Sequence, residues 1–348
     1  MNDLTFFLGA NTYQGFYSLY EEYLLTRQDS KVWILKGGAG CGKSGFMRTV
    51  ADRVSAEGYT AHRILCSGDP ASLDGVHIPD MGVILLDGTA PHVLEPALVG
   101  EKGFYLDLSR YYRPGVPELR EQDTAYKEHY RIAYRWLAAA GETSAALALP
   151  PGTEEIIRRK ASALITRELR VKSKTPGRIT RVFLDAFTGN GMLSLADTKE
   201  KLAEHRIGLH GVCGIEHAFL SAAADAALSR GWDVVLALSP LQPGSIAQLF
   251  IPERGFGIGV GEGERYIHLD KIIYQQTGRD ESATIRDTES MRNALLTRAK
   301  KELALARYHH DRLEEAVNPY VDFTEVYKAA NSFADRLLLE TAAGEASV

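Results

Sequence analysis

The sequence predicts an α/β protein built from two tandem αβα modules that arose by internal duplication, each followed by a helical extension. Two observations support this prediction. Residues 32–58 combine a short apolar run, a glycine-rich stretch and a segment with helical periodicity, in the order strand, loop, helix. A related pattern recurs at an offset of 173 residues, which brings Gly38 onto Gly211, and it keeps register for about fifty positions.

Composition and length fit this architecture and exclude several other classes. The chain has 348 residues with 45% hydrophobic and 24% charged positions, which suits two globular domains. A net charge of −5 offers no broad attraction for nucleic acid or anionic membranes. No run approaches roughly 18 apolar residues, so no membrane span is expected. The chain has three cysteines, none with CxxC spacing, and its N-terminus does not resemble a secretory signal. Both observations favour a cytoplasmic protein.

The first module opens with a strand that leads into a phosphate-binding motif. Val32 to Leu35 form a β-branched and aromatic run that is typical of a buried strand. Residues 37–44 then fit the pattern G-x-x-x-x-G-K-S, the P-loop. Apolar residues at helical spacing follow until Gly58, so the motif has the strand before it and the helix after it that its function requires.

This spacing of residues predicts a nucleotide phosphate site. Glycines let the backbone curl so that successive N–H groups point at a phosphate, and the helix N-terminus adds partial positive charge. Lys43 would reach the β- and γ-phosphates, and the Ser44 hydroxyl would bind Mg²⁺. The expected ATP-binding residues are Gly37, Gly38, Ala39, Gly40, Cys41, Gly42, Lys43, Ser44 and Gly45.

A second carboxylate ligand is expected at Asp87. The run from Val83 to Leu86 is apolar and ends in this aspartate, which is the Walker B arrangement beside a P-loop, with one strand at residues 60–66 in between. Asp87 would hold Mg²⁺ together with Ser44. Gly88 follows in place of the catalytic glutamate of many ATPases, so fast hydrolysis is not expected. GTPase base-recognition motifs are missing, which favours ATP.

The residue that would orient water or an acceptor stays open among three candidates. Asp69 and Asp74 follow the strand after the loop helix, at the edge of the sheet that faces the nucleotide. Either could serve as a catalytic carboxylate. The alternative is that both belong to turns, because Asp-Pro and Asp-Gly are turn pairs. His92, which follows Asp87 closely, is the third candidate.

The second copy has lost the chemistry of the first. Where the first module has Gly42, Lys43 and Ser44, the second has Ile215, Glu216 and His217, and Val260 replaces Asp87. A carboxylate at the lysine position would repel a phosphate. We therefore divide the chain into an intact P-loop module at residues 1–178 and a degenerate module at 179–348. Helical extensions are expected at 116–140 and 153–170, and at 284–316 and 323–340.

Four segments together resemble a family of uncharacterised bacterial tandem P-loop ATPases, often labelled putative nucleotide kinases. They are NTYQGFYSLYEEYL, ILKGGAGCGKSGFMR, CSGDPASLDGVHIPD and DGTAPHVLEP. The resemblance is strong over residues 9–97 and weak beyond. It implies the P-loop NTPase superfamily fold and ATP binding. In that family both modules commonly carry GKS, from which this chain departs at Ile215 to His217.

Three functions fit the sequence. The first, which we favour, is a slow ATPase or ATP-driven switch with one Mg²⁺–ATP site and a silent second half that acts as a regulatory partner. The second is a kinase that transfers phosphate from ATP to a small molecule or nucleotide, with Asp69 or Asp74 near the acceptor and an Arg-rich helical lid. The third is a non-enzymatic scaffold stabilised by nucleotide. The expected partners are ATP and an unidentified small molecule or protein.

Overall fold

The structure, a computed structural model, describes residues 3–90, 93–96, 98–145, 149, 151–212, 214–261, 263–274 and 279–345. It is a mixed α/β protein with two six-stranded mixed sheets. No helix in these ranges combines the length and apolarity that crossing a bilayer requires.

The first half of the chain supplies one sheet, one hairpin and four helices of the described residues. Its strands are β1 (Thr5–Phe7), β2 (Gly9–Thr12), β3 (Gly15–Ser18), β4 (Lys31–Lys36), β5 (His62–Leu65), β6 (Leu73–Ile78), β7 (Val83–Asp87) and β8 (Gly103–Asp107). Its helices are α1 (Tyr20–Leu25), α2 (Lys43–Ala56), α3 (Arg120–Ala145) and α4 (Thr153–Glu168).

The second half repeats this succession. Its strands are β9 (Ile179–Val182), β10 (Asp185–Thr188), β11 (Gly191–Ser194), β12 (His205–His210), β13 (Val234–Leu238), β14 (Ile246–Ile251), β15 (Phe256–Val260) and β16 (Arg265–His268). Its helices are α5 (Ala196–Leu202), α6 (Ile215–Leu228), α7 (Asp270–Tyr274), α8 (Arg279–Val317) and α9 (Phe323–Glu345).

The two sheets have the same strand order. The first runs β1-β5-β6-β7-β4-β8 and the second β9-β13-β14-β15-β12-β16, so corresponding strands occupy corresponding places. In each sheet one strand, β6 or β14, lies antiparallel to both neighbours, while the other described pairings are parallel. The sequence predicted a single strand between α2 and the Asp87 strand, whereas the structure also has β6 there.

The chain divides into two compact units that differ from the predicted modules. Unit 1 comprises residues 1–9, 20–131 and 302–348, and unit 2 comprises residues 10–19 and 132–301. The predicted boundary after residue 178 falls inside unit 2. The units are discontinuous because the long helices α3 and α8 each contribute residues to both.

In each unit the helix that follows the glycine-rich segment is covered by a helix from the other half of the chain. In unit 1, α2 packs between the sheet and α9, whose buried side chains are Val326, Ala330, Phe333, Ala334 and Leu337. In unit 2, α6 packs against α4, whose buried side chains are Ile157, Ala161, Leu164 and Ile165. The predicted extensions are therefore present, but α4 and α9 are exchanged between the halves.

Candidate functional site

The glycine loop, residues 37–45, joins the end of β4 to the start of α2. Gly37, Gly40 and Gly42 have φ values of 147°, 72° and 90°, which residues with a side chain rarely adopt. At Gly37 a Cβ atom would also lie 2.5 Å from the Cys41 sulfur. Glycine is thus required here both by backbone conformation and by space, and the backbone of the loop is tightly curled.

Lys43 folds back over the glycine loop. Its side chain is buried, and the Nζ atom donates hydrogen bonds to the carbonyl oxygens of Gly37 and Gly38, each at 2.9 Å. The same Nζ lies 3.6 Å from the Asp87 Oδ2 atom. The ammonium group is held at the mouth of the loop, where a phosphate bound by the loop amides would meet it. Burial raises the pKa of the neighbouring Cys41 thiol, so this thiol stays protonated.

Asp87 occupies the end of β7, the strand next to β4. Its register partner is Leu35, two residues before the loop. The Oδ1 atom accepts hydrogen bonds from the Thr89 backbone N–H at 2.8 Å and from the Thr89 hydroxyl at 2.6 Å. Because Oδ1 is held in this way, Oδ2 points toward Lys43. The structure therefore brings together Lys43 and Asp87, two of the residues that the sequence singles out.

Ser44 is tied to the sheet through its side chain. Its Oγ atom accepts a hydrogen bond at 2.9 Å from the backbone N–H of Leu73, the first residue of β6. A hydroxyl oxygen has two lone pairs, so one remains for a cation. Ser44 and Asp87 both offer the oxygen chemistry that Mg²⁺ prefers.

The other two predicted carboxylates have partners of their own. Asp74 lies within β6 and not in a turn, is 5% exposed, and accepts a hydrogen bond from the Tyr20 hydroxyl at 3.1 Å. Asp69 accepts hydrogen bonds from the Ser72 hydroxyl at 2.6 Å and the Ala71 N–H at 3.0 Å, and pairs with Arg307 of α8. Burial acts to raise the pKa of Asp69, but these bonds outweigh it and hold the pKa below its usual value. His92 lies outside the described residues.

Residues from the second half of the chain pack directly on the glycine loop, and the sequence, which offered that half as a regulatory partner, singled out none of these residues. A Cβ atom at Gly40 would lie 3.2 Å from the Glu314 Cα atom, and one at Gly45 would lie 3.1 Å from the Tyr327 ring. With its amide nitrogen turned toward the loop, Asn318 donates to the Gly40 carbonyl at 3.1 Å. We call residues 314–327 the C-terminal cover. The contacts of the cover join residues that lie far apart in the sequence. No local sequence motif could therefore predict them.

In unit 2, Glu216 occupies the position that corresponds to Lys43 of unit 1. The carboxyl group of Glu216 lies over the turn that corresponds to the glycine loop, since a Cβ atom at Gly211 would lie 2.6 Å from the Glu216 Cδ atom, and burial raises the pKa of Glu216. His217 replaces Ser44, and its Nδ1 accepts a hydrogen bond from the Ile246 N–H at 3.0 Å, as Ser44 does from Leu73. The turn in unit 2 is therefore covered by a carboxyl group of its own chain.

Comparison of the chain with protein-family models, with curated proteins and with solved structures finds no match in any of the three. What the chain does must therefore be inferred from its own loop geometry.

Proposed function

We propose that the protein is an ATP-binding P-loop NTPase, a slow ATPase or ATP-driven switch with one Mg²⁺–ATP site at the glycine loop. The observation that supports this best is the placement of Lys43. Its buried ammonium lies between two loop carbonyls and the Asp87 carboxylate, at the junction of a strand end and a helix N-terminus. A buried cation beside curled glycine backbone matches the charge and shape of a triphosphate.

Each group then has a defined role in binding. The amides of residues 37–45 would hold the phosphate oxygens, and Lys43 would exchange part of its loop contacts for the β- and γ-phosphates. Ser44 would bind Mg²⁺ directly, and Asp87 would do so through a water molecule. Such a site works by positioning and by electrostatic stabilisation of charge on the transferred phosphoryl group.

Two features favour slow turnover over rapid hydrolysis or transfer. Gly88 follows Asp87, so no carboxylate is adjacent to activate water. Asp69 is held by Ser72 and Arg307, and Asp74 is buried with Tyr20, so both serve structural contacts. A carboxylate that acts as general base on an acceptor hydroxyl must be free to take its proton. These contacts therefore favour the ATPase or switch over the kinase alternative.

The C-terminal cover supports a switch. Its residues touch Gly40, Gly42 and Gly45, three positions of the glycine loop. A change in loop geometry on phosphate binding would therefore be transmitted to α8 and α9. A ligand that binds the two loop geometries with different affinity shifts the population of both helices.

We also propose that the two halves arose by duplication and that the second is silent. The shared strand order supports this. So does a repeated hairpin contact: the Thr12 hydroxyl donates to the Gly15 carbonyl at 2.8 Å, and the Thr188 hydroxyl donates to the Gly191 carbonyl at 2.9 Å. The Glu216 carboxylate would exclude a phosphate from the second turn. The same features favour membership of the tandem P-loop ATPase family that the sequence resembles.

Calorimetric titration of ATP with Mg²⁺ tests the proposal. We expect Lys43→Ala to weaken ATP binding at least about tenfold, which corresponds to about 1.4 kcal/mol. Lys31→Ala is the matched control, because Lys31 is an exposed lysine of β4, the strand that leads into the glycine loop, and pairs with Glu340. Equal affinities of the wild type and Lys43→Ala would refute an ATP site at this loop.

A further inference from the structure

Unit 2 contains a cavity that the proposed nucleotide site does not use. Its volume is about 220 Å³, and it lies between α5, the β10–β11 hairpin and strands β12, β14 and β15. The residues that matter for its chemistry are Asp185, Ser194, Ala196, Lys199, Arg206 and Gln248.

The equivalent place in unit 1 is filled by aromatic side chains. An offset of 176 residues brings Tyr20 onto Ala196 and Tyr23 onto Lys199, and the helices α1 and α5 begin at the matched positions Tyr20 and Ala196. Both tyrosines are buried, and their hydroxyls bond to Asp74 and His77. Replacement of two tyrosine rings by alanine and lysine leaves open space in unit 2.

The cavity is lined by polar side chains, and not all of their hydrogen-bonding groups have a partner. Lys199, buried, donates to the Asp185 Oδ1 atom and to the Ser194 hydroxyl, both at 2.7 Å. Gln248 is 8% exposed, and its Nε2 atom donates to the Asp185 Oδ2 atom at 3.4 Å. The Gln248 Oε1 atom is buried and has no hydrogen-bond partner. A buried oxygen of this kind is unfavourable unless a ligand donates to it.

The charge of the cavity is positive. Lys199 neutralises Asp185, while Arg206, partly buried, has no carboxylate within 4.0 Å among the residues that the structure describes. A guanidinium with its donors free can bind a carboxylate or phosphate oxygen pair. The cavity therefore offers one anion-binding group and one hydrogen-bond acceptor to the same ligand.

We propose that unit 2 binds a small organic anion that also carries a hydroxyl or amine donor. Arg206 holds the anionic group, and the donor satisfies the Gln248 Oε1 atom. The volume is below the ~300–1,000 Å³ of sites for drug-sized ligands, so the ligand is a compact metabolite. This site shares no residue with the glycine loop, and ligand binding here does not depend on ATP binding there.

The test is calorimetric titration of the full-length protein with defined probes: D-glycerate, L-malate, citrate and glucose 6-phosphate, with glycerol as the neutral control. At least one anionic probe should bind, and glycerol should not. Arg206→Ala and Gln248→Leu should each weaken the binding at least about tenfold. Arg159→Ala is the control, because Arg159 is an exposed arginine of the same unit that pairs only with Glu155 at i,i+4 among the described residues.

Ala196→Tyr provides a second variant, since it restores to the cavity the residue that fills unit 1. It should abolish binding of the probe and leave the Kd for ATP unchanged, which separates this proposal from the nucleotide site. The proposal is overturned if no anionic probe binds at about 5 mM, or if binding persists in both Arg206→Ala and Ala196→Tyr.

Discussion

One residue position carries side chains of opposite type, a lysine and a glutamate, in the two corresponding turns of the chain. In unit 1 it carries Lys43, whose ammonium faces Asp87. In unit 2 it carries Glu216, whose carboxyl group lies over the turn. Both side chains fold back over their own turn, but the first brings an ammonium group and the second a carboxyl group. Under the proposed function, the charge at this position decides whether the turn can receive a phosphate.

Asp87 should control the dependence of ATP binding on Mg²⁺. We expect Asp87→Asn to lose most of the gain in ATP affinity that Mg²⁺ provides, because a neutral amide holds the metal's water shell less strongly than a carboxylate does. Titration of ATP with Mg²⁺ and with EDTA measures this gain.

The control for this measurement is Asp107→Asn. Asp107 ends β8, the other neighbour of β4, and its Oδ1 atom accepts from the Ser109 N–H at 2.9 Å and the Ser109 hydroxyl at 2.6 Å. It therefore copies the local geometry of Asp87 without a contact to Lys43. If both variants change the Mg²⁺ dependence equally, Asp87 has no special role.

Two buried histidines should make stability depend on pH. Burial lowers the pKa of His62 to about 4 and that of His77 to about 3, whereas the unfolded value is 6.5. Between these values the unfolded chain binds more protons than the folded one, so the free energy of unfolding falls as the pH drops below 6.5. At pH 5 the loss should be about 2 kcal/mol per histidine, as an upper bound.

Urea unfolding at pH 7 and pH 5 measures this loss. His77→Phe should reduce it, while His205→Gln should not, since His205 is exposed. A pH dependence that is the same in His77→Phe and in the wild type would contradict the assignment.

At the scale of elements, the strands and helices that build the candidate site differ in how well the sequence predicts them. β4, α2 and β7 were predictable, because each has a clear apolar pattern and the P-loop motif fixes their order. β6 was missed because its sequence, LDGVHI, has an Asp-Gly pair at its second and third positions, and such a pair signals a turn. In the structure this strand is wholly buried between β5 and β7, so sheet pairing overrides the local signal.

The C-terminal cover should be sensitive to any side chain on the glycine loop. Gly40→Ala places a Cβ atom 3.2 Å from the backbone of Glu314 and at positive φ, so we expect a destabilisation of roughly 2–3 kcal/mol. Gly58→Ala is the control, because Gly58 also has positive φ but no atom near its Cβ position.

The difference between the two variants isolates the contact with the cover from backbone strain. Both are measured by urea unfolding at constant pH. Equal losses of stability in Gly40→Ala and Gly58→Ala would mean that the cover does not pack on the loop.

At the scale of the whole molecule, the sequence predicted two related α/β halves, and the two sheets do share one strand order. It did not predict that α4 and α9 are exchanged between them. Both helices were expected near their observed positions, but periodicity reports only that a helix has an apolar face, not which partner covers it. For the same reason Arg307, which pairs with Asp69 from the far end of the chain, could not be singled out among the arginines.

This exchange predicts that neither half folds alone. Residues 1–178 contain α2 but lack α9, so the apolar side chains of Phe46, Met47 and Val50 would lose the cover that Val326, Phe333 and Leu337 provide. Each large apolar side chain that stays exposed forfeits about 1.5–3 kcal/mol, which is a large part of the stability of a domain. Fragments 1–178 and 179–348 should therefore aggregate or lack cooperative unfolding when made separately. They should form a stable one-to-one complex when made together, with circular dichroism and ATP affinity close to those of the intact chain. A fragment 1–178 that unfolds cooperatively as a monomer and binds ATP like the intact protein would show that α9 is dispensable for unit 1.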